Sequence, residues 1–432
     1  MKKRIALILV LTLVVSMLAA CAAKPGTDTP APTGTPQTTP APTQGSSSDE
    51  VTLEFYIWDE VQATATQQMI DLFHESHPNI NVELTVIPWD QYIPKMQTVL
   101  ANHTGPDICW LNTSLGSQYI PAGGLEDLSP LAARDGYDVS HLNANILAGY
   151  SYGGDFYAIP KDIDTVIVVY NKELFDNANV PYPSNDWTWD DFRETAKAVT
   201  IEGSQYGYTN NNDERVYYSL IMSNGGQIYN EDHTLSQINS DIAISSIQFL
   251  HDMEIVDKST PSGAEYIEMG EQTHFINGMA AMDITGSWNI SVYAEALGDK
   301  LGIAEMPTGA VGKSSISHGI GYAIPAGCEH VDEAWEFLKF LGSDEAQILQ
   351  AKDVIPANNN VVDEWAKQMS DYDLSAVVSA LQYSPILPLA AKNPSAVREC
   401  VRAAIQEVWL GTSDVPTALA KAEQAMNAEI AK

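Results

Sequence analysis

Residues 51–59 read VTLEFYIWD, with Val51, Leu53, Phe55 and Ile57 alternating against Thr52, Glu54, Tyr56 and Trp58. A period of two places those two sets on opposite faces of an extended chain, so the stretch predicts a strand with one buried face. The next stretch, VQATATQQMIDLFHESHPNI, brings Ile70 and Phe73 together with Val61, Ala65 and Met69 on neighbouring turns until Pro78 stops the pattern. That spacing predicts a helix. INVELTV (80–86) predicts a second strand, and WDQYIPKMQTVLANHTG a second helix with Asp90 as its cap. DICWL (107–111) predicts a third strand. Strand, helix, strand, helix, strand is the order of an open parallel sheet covered by helices, and it sets the fold class as α/β.

Downstream the alternation continues less regularly. FYAIPKDIDTVIVVYNKELF (156–175) predicts a strand over Val166–Asn171, and AAMDIT (280–285) predicts another. WTWDDFRETAKAVT predicts a helix opened by a capping box of Thr188 and Asp191, with Phe192, Ala196 and Val199 on one face. AISSIQFLHDM and EQTHFINGM read as helices. In HVDEAWEFLKFLGS, Val331, Ala334, Trp335, Leu338 and Leu341 fall at helical spacing before Gly342, which makes Trp335 a core residue. From Asp363 to Lys432 the pattern is mostly helical, and the chain has no internal repeat.

Upstream, Met1-Lys2-Lys3-Arg4 precedes an apolar run from Ile5 to Leu18, which reads as a secretory signal over residues 1–20. Leu18-Ala19-Ala20-Cys21 resembles a bacterial lipobox, which implies cleavage before Cys21 and a lipid on its sulfur. Six prolines among Thr, Ser, Gly and Gln then make residues 22–48 a spacer, too poor in apolar residues to fold. At about 3.1 Å per residue it would reach roughly 80 Å from a membrane. The formal charge of −34 becomes −37 once Lys2, Lys3 and Arg4 are removed. So acidic a chain is repelled by nucleic acid and by anionic lipid surfaces, which argues against both as partners. Cys109, Cys328 and Cys400 sit among apolar or small residues and read as buried free thiols, with one disulfide among them as the alternative. Neither Cys-x-x-Cys nor His-Glu-x-x-His occurs, so no metal or cofactor is expected.

Six stretches, in order, resemble the extracellular solute-binding proteins of ABC importers, in the large sugar-binding group that includes maltose-binding protein. They are GPDICWLNTSLGSQYIPAGGLEDLSPL (105–131), GDFYAIPKDIDTVIVVYNKELF (154–175), WTWDDF (187–192), FINGMAAMDITGSW (275–288), HGIGYAIPAG (318–327) with AWEFLKFL, and GTSDVPTALAKAEQAM (411–426). The resemblance implies a two-lobed periplasmic-binding-protein-like fold of type II, its lobes joined by two or three crossing strands with the ligand cleft between them. It implies lobe 1 from residues 49–162 plus about 312–360, and lobe 2 from about 163–311 plus about 361–432. It also implies a monomer that captures a sugar, an oligosaccharide or a disaccharide, and hands it to a permease by hinge closure. The lipid on Cys21 would tether it at the outer face of the cell membrane, and the spacer would leave it room to move.

Open α/β sheets bind ligands beyond the carboxyl ends of their strands, so the strand exits supply site candidates. They are Trp58 and Asp59; Trp110, Asn112 and Thr113; and Trp288 after Gly286. Indole suits the C–H face of a pyranose, and covering about 100 Å² of it is worth roughly 2–3 kcal/mol. Trp110 either meets ligand or points into its lobe. In PKDIDT, Asp162 and Asp164 project to one side; each either accepts from sugar hydroxyls or bonds backbone amides near a hinge. The resemblance adds Asp213, Arg215, Tyr218 and Asn224 from the second lobe, and His318, Gly319 and Tyr322 near a second crossing. Three rivals stand beside this reading: a secreted carbohydrate-active enzyme, the same fold binding a peptide, polyamine or metal, and a surface adhesin that uses the fold as a scaffold. No nucleophile elbow, P-loop or metal motif supports the enzyme.

Overall fold

The computed structural model describes residues 50–432, so the signal segment, Cys21 and the spacer lie outside the described residues. Strands Val51–Ile57, Ile80–Val86 and Ile108–Asn112 form where the alternation puts them and pair in parallel. They belong to a five-stranded sheet completed by Ile320–Ala323, antiparallel to Ile108–Asn112, and by Ile159–Pro160. Leu53, Phe55 and Ile57 are fully buried beneath Met69 and Phe73 of helix Glu60–Ser76 and Phe337 and Leu338 of helix Val331–Leu341. Trp335 is buried there as well, its indole N–H donating to Asp135 at 2.9 Å.

A second sheet runs Leu301–Ala304, Asp162–Asn171, Ala280–Gly286, Tyr206–Tyr208. The strand expected at Val166–Asn171 begins four residues earlier, and all ten of its residues are buried. Val166, Val168 and Tyr170 join a core with helices Pro394–Trp409 and Val415–Ile430, whereas Ile167 and Val169 pack with Phe275 and Tyr293. Burial on both faces is what the unbroken apolar run VIVVY requires.

The extra residues carry the chain between the sheets. Asp164 and Thr165 pair with Ser317–His318, and Asp162 and Ile163 pair with Ile355–Pro356. Three segments therefore cross, near 160–165, 317–320 and 355–357, and each is short. An added Cβ at Gly319 would lie 2.5 Å from the Asp162 carbonyl oxygen, so two crossings approach closely only because residue 319 is glycine.

Local expectations were met unevenly. The Thr188/Asp191 capping box forms as read. Asp90 does not cap helix Trp89–Asn102: Pro88 occupies that position and makes no side-chain bond, leaving Asp90 in the first turn, where its charge favours the helix dipole. All three described cysteines are free, but only Cys109 is buried; Cys328 and Cys400 are half-buried. Among the described residues no helix is long and apolar enough to cross a membrane, and no cluster of three or more His, Cys, Asp or Glu could hold a metal ion.

One buried acid affects stability. Asp283 accepts from Thr209 Oγ1 (2.6 Å) and from the Tyr293 hydroxyl (2.7 Å). Burial, reinforced by Glu271, pushes its pKa up to about 7. The unfolded chain releases this proton near the ordinary value of about 3.9, so the native state holds one more proton between those two values. This group's contribution to stability is therefore present below about pH 4 and is lost as pH rises toward 7. Asp283→Asn should gain stability relative to the parent as pH rises through that window, measured as the difference in urea midpoints. An equal difference at every pH would refute the assignment.

Candidate functional site

The carboxyl ends of Val51–Ile57 and Ala280–Gly286 face each other across the crossing segments. Between them lies a cavity of about 320 Å³ bounded by Trp58, Asp59, Asp162, Asp164, Arg215, Trp288 and His318. Seven of the expected residues thus meet in one place. Trp89, Gln62, Ile163, Ser287, Asn289, Ile320, Val354 and Ile355 complete the wall.

Each side chain is held by its element. Trp58 is half-buried and packs edge-on against Trp89 (5.2 Å between ring centroids), Tyr92 (5.0 Å) and Trp110 (5.0 Å). Asp59 caps helix Glu60–Ser76, accepting from the Val61 N–H at 2.8 Å, and its other oxygen accepts from Gln62 Nε2 at 2.7 Å. Trp288 is the middle residue of a short 3₁₀ turn, Ser287–Asn289, that follows Gly286, and it folds back over that glycine: a Cβ at 286 would lie 1.7 Å from Trp288 Cζ3. The Arg215 guanidinium lies over the same indole, 4.3 Å from its centroid, in cation–π geometry. Asp213 anchors that arginine with bonds of 2.9 and 2.5 Å. Burial opposes the Asp213 charge, but Arg215 and Arg398 hold its carboxyl well below the usual range.

The two hinge aspartates divide the roles that the sequence left open. Asp162 bonds locally, accepting from the Ile320 N–H (2.8 Å) and from Lys161 Nζ (2.6 Å). Asp164 has one oxygen 3.3 Å from His318 Nδ1, while its other oxygen, Oδ1, is buried without a partner. A buried, unpaired carboxylate oxygen costs free energy unless something donates to it, and the residue that carries it is on the cavity wall.

Eight expected residues do not line this cavity; Asp213 stands behind Arg215, and the other seven lie elsewhere. Trp110 is fully buried beneath Trp58, with Lys161 Nζ 4.5 Å from its ring centroid, so it supports the wall instead of facing the cavity. Tyr322 is fully buried, its hydroxyl donating to Gln350 at 3.1 Å. Thr113 and Tyr218 are also buried, and Gly319 serves the close crossing. Asn224 caps the far end of helix Glu214–Ser223 and accepts from the Ala310 N–H. Ten residues of helix put it about 15 Å from the end that bears Arg215.

Asn112 caps helix Thr113–Tyr119 and lines a second cavity, of about 460 Å³, between that helix and helix Pro394–Trp409. Trp89 borders both cavities. It went unnoticed in the sequence although it follows strand Ile80–Val86 by three residues; the strand-exit rule applied to that strand would have found it.

Two α/β sheets, three crossing segments and a cleft lined by aromatics and carboxylates define a two-lobed binding protein. The chain belongs to the family of bacterial extracellular solute-binding proteins, which matches it over residues 58–348. The galactooligosaccharide-binding protein of Bacillus subtilis is 24% identical over 405 residues, 90% of this chain and 93% of its own length. The arabinooligosaccharide-binding protein of the same organism is 25% identical over 69% of this chain and 71% of its own. Among solved structures, a substrate-binding protein from Listeria monocytogenes in complex with cycloalternan superposes with a TM-score of 0.82 at 27% identity, covering 88% of this chain and 99% of that one. Maltose-bound MalE3 of T. maritima has the same fold, with a TM-score of 0.77 at 21% identity, covering 87% and 99%.

Gly286→Ala should drive the Trp288 ring off its seat without unfolding the lobe. The expected signature is altered near-ultraviolet circular dichroism with an unchanged far-ultraviolet spectrum; two unchanged spectra would count against the packing described.

Proposed function

We propose that this protein captures a sugar, an oligosaccharide or a disaccharide, in the first cavity and delivers it to the permease of an ABC importer. The observation that carries the reading is the convergence of Trp58, Trp89 and Trp288 on one space with the unpaired oxygen of Asp164. Indole faces take the C–H faces of a pyranose, and carboxylates accept from its hydroxyls, so orientation comes from the pairing. Family membership and the oligosaccharide-binding relatives support the same reading.

On this reading residues 49–162 with about 312–360 form one lobe, and about 163–311 with about 361–432 the other. Ligand bridging them favours closure about the crossing segments. Moving such an equilibrium from 1:99 to 99:1 takes about 5.5 kcal/mol of differential contact, which two stacked rings and several hydrogen bonds supply. The protein acts as a monomer, tethered outside the cell through lipid on Cys21, and leaves its sugar chemically unchanged.

A thermal-shift screen across mono- and oligosaccharides identifies the ligand, since binding raises apparent stability. Calorimetry with that ligand should then show one site per chain, weakened about tenfold or more by Trp288→Ala. Unchanged affinity removes Trp288 from the site. Release of new reducing ends during incubation makes the protein an enzyme and overturns the binding reading.

A further inference from the structure

We infer that the second cavity, beyond Trp89, takes the acidic part of the ligand, a uronate carboxylate on the oligosaccharide, with Arg402 as its ion-pair partner. The inference rests on the sugar reading above and adds to it the charge of the substrate.

The two cavities share Trp89, so a sugar chain that passes the edge of that indole would extend from the first toward the second. Their chemistry differs. The first is walled by three tryptophans and three aspartates. In the second, Trp89 is the sole aromatic, and Arg398 and Arg402 stand on one wall opposite Asn112 and Ser114. The chain has only six arginines and a formal charge of −34, yet three of the six, Arg215, Arg398 and Arg402, line these two spaces.

The three arginines are not equivalent. Arg215 is bound by Asp213 on two nitrogens. Arg398 has buried Glu214 at 2.6 Å. Arg402 is half-buried, and among the described residues its guanidinium has no ion-pair partner; only its backbone carbonyl is engaged, by Asn212 Nδ2 at 2.9 Å. Burial works against its charge, while Glu214, Glu399 and Asp213 favour it, so the guanidinium stays protonated. Two further acids on this cavity's wall, Asp90 and Glu399, are exposed, so solvent screens them. The first turn of the sixteen-residue helix Pro394–Trp409 adds its positive end through Ser395 and Ala396. A partly desolvated guanidinium with free donors matches a planar carboxylate bidentately, a fit that neutral hydroxyls do not offer.

The test uses the full chain and calorimetry with paired probes of equal ring number: xylo-oligosaccharides against glucuronate-bearing xylo-oligosaccharides, and galacto-oligosaccharides against oligogalacturonates. In at least one pair the acidic member should bind about tenfold or more tighter, an advantage that shrinks with added salt. Arg402→Gln should bring the acidic-to-neutral affinity ratio close to one, and Arg402→Lys should restore part of it. Arg402→Met, which keeps the apolar stem, guards against a packing artefact and should behave like the Gln variant. Equal affinities within every pair, binding of neutral members alone, or a ratio untouched by Arg402→Gln would each overturn the acidic subsite and leave the sugar reading standing. Binding of neither kind would overturn the sugar reading and the subsite together.

Discussion

Ten consecutive buried residues, Asp162–Asn171, fix where everything else in the molecule sits. One end of this strand pairs with the other crossing segments, and the other end is the interior of the second sheet. A strand cannot be displaced from a ladder without leaving buried amides unpaired, so both sheets are indexed to it. Lys161, immediately before it, is almost wholly buried and extends the linkage. Its Nζ donates to Gln62 Oε1 and to Asp162 Oδ2, each at 2.6 Å. An isolated buried ammonium would cost several kcal/mol, and these partners together with the Trp110 ring offset that cost.

From Asp59 through Gln62, Lys161 and Asp162 to the Ile320 amide, one continuous line of hydrogen bonds joins the cleft wall to two crossing segments. Every group along it has a partner, in contrast to Asp164 Oδ1 in the same wall. The cleft thus contains polar groups of two kinds: those consumed in holding the hinge and those left for something outside the chain. Its aromatics divide similarly. Trp110 and Tyr92 are sealed beneath Trp58, while Trp89 remains substantially exposed. Buried aromatics stiffen the exposed ones, so a ring entering the cleft meets planes already ordered and loses less entropy in binding.

Several features were legible in the sequence because they depend on local physics. Alternation in VTLEFYIWD, helical spacing around Phe73 and the Thr188/Asp191 box each involve neighbours within four residues, and each formed as read. The strand-exit rule reached Trp58, Asp59 and Trp288, because an exit depends only on where a strand stops. The same rule could not orient Trp110. All five residues of Ile108–Asn112 are buried, so neither face of that strand is marked by polarity, and which side carries the cleft is set by neighbours distant in sequence. Tyr322 was misplaced for the same reason, as its strand is buried along its length. Asn224 failed on distance: a motif marked the helix, but its length carried the residue away from the site.

By itself, then, the sequence determined the elements and the class, since periodicity and caps report whether each side of a segment meets water. Only the tertiary structure decided which of the two aspartates in DIDT is spent on the hinge, which tryptophans line the cleft and where Arg402 stands. Those outcomes depend on the pairing of residues more than a hundred positions apart, such as Asp162 with Ile320 and Asp164 with His318, and on whether any donor is left over once the chain has satisfied itself. No local pattern encodes such a remainder, because it arises only when all the partners are in place.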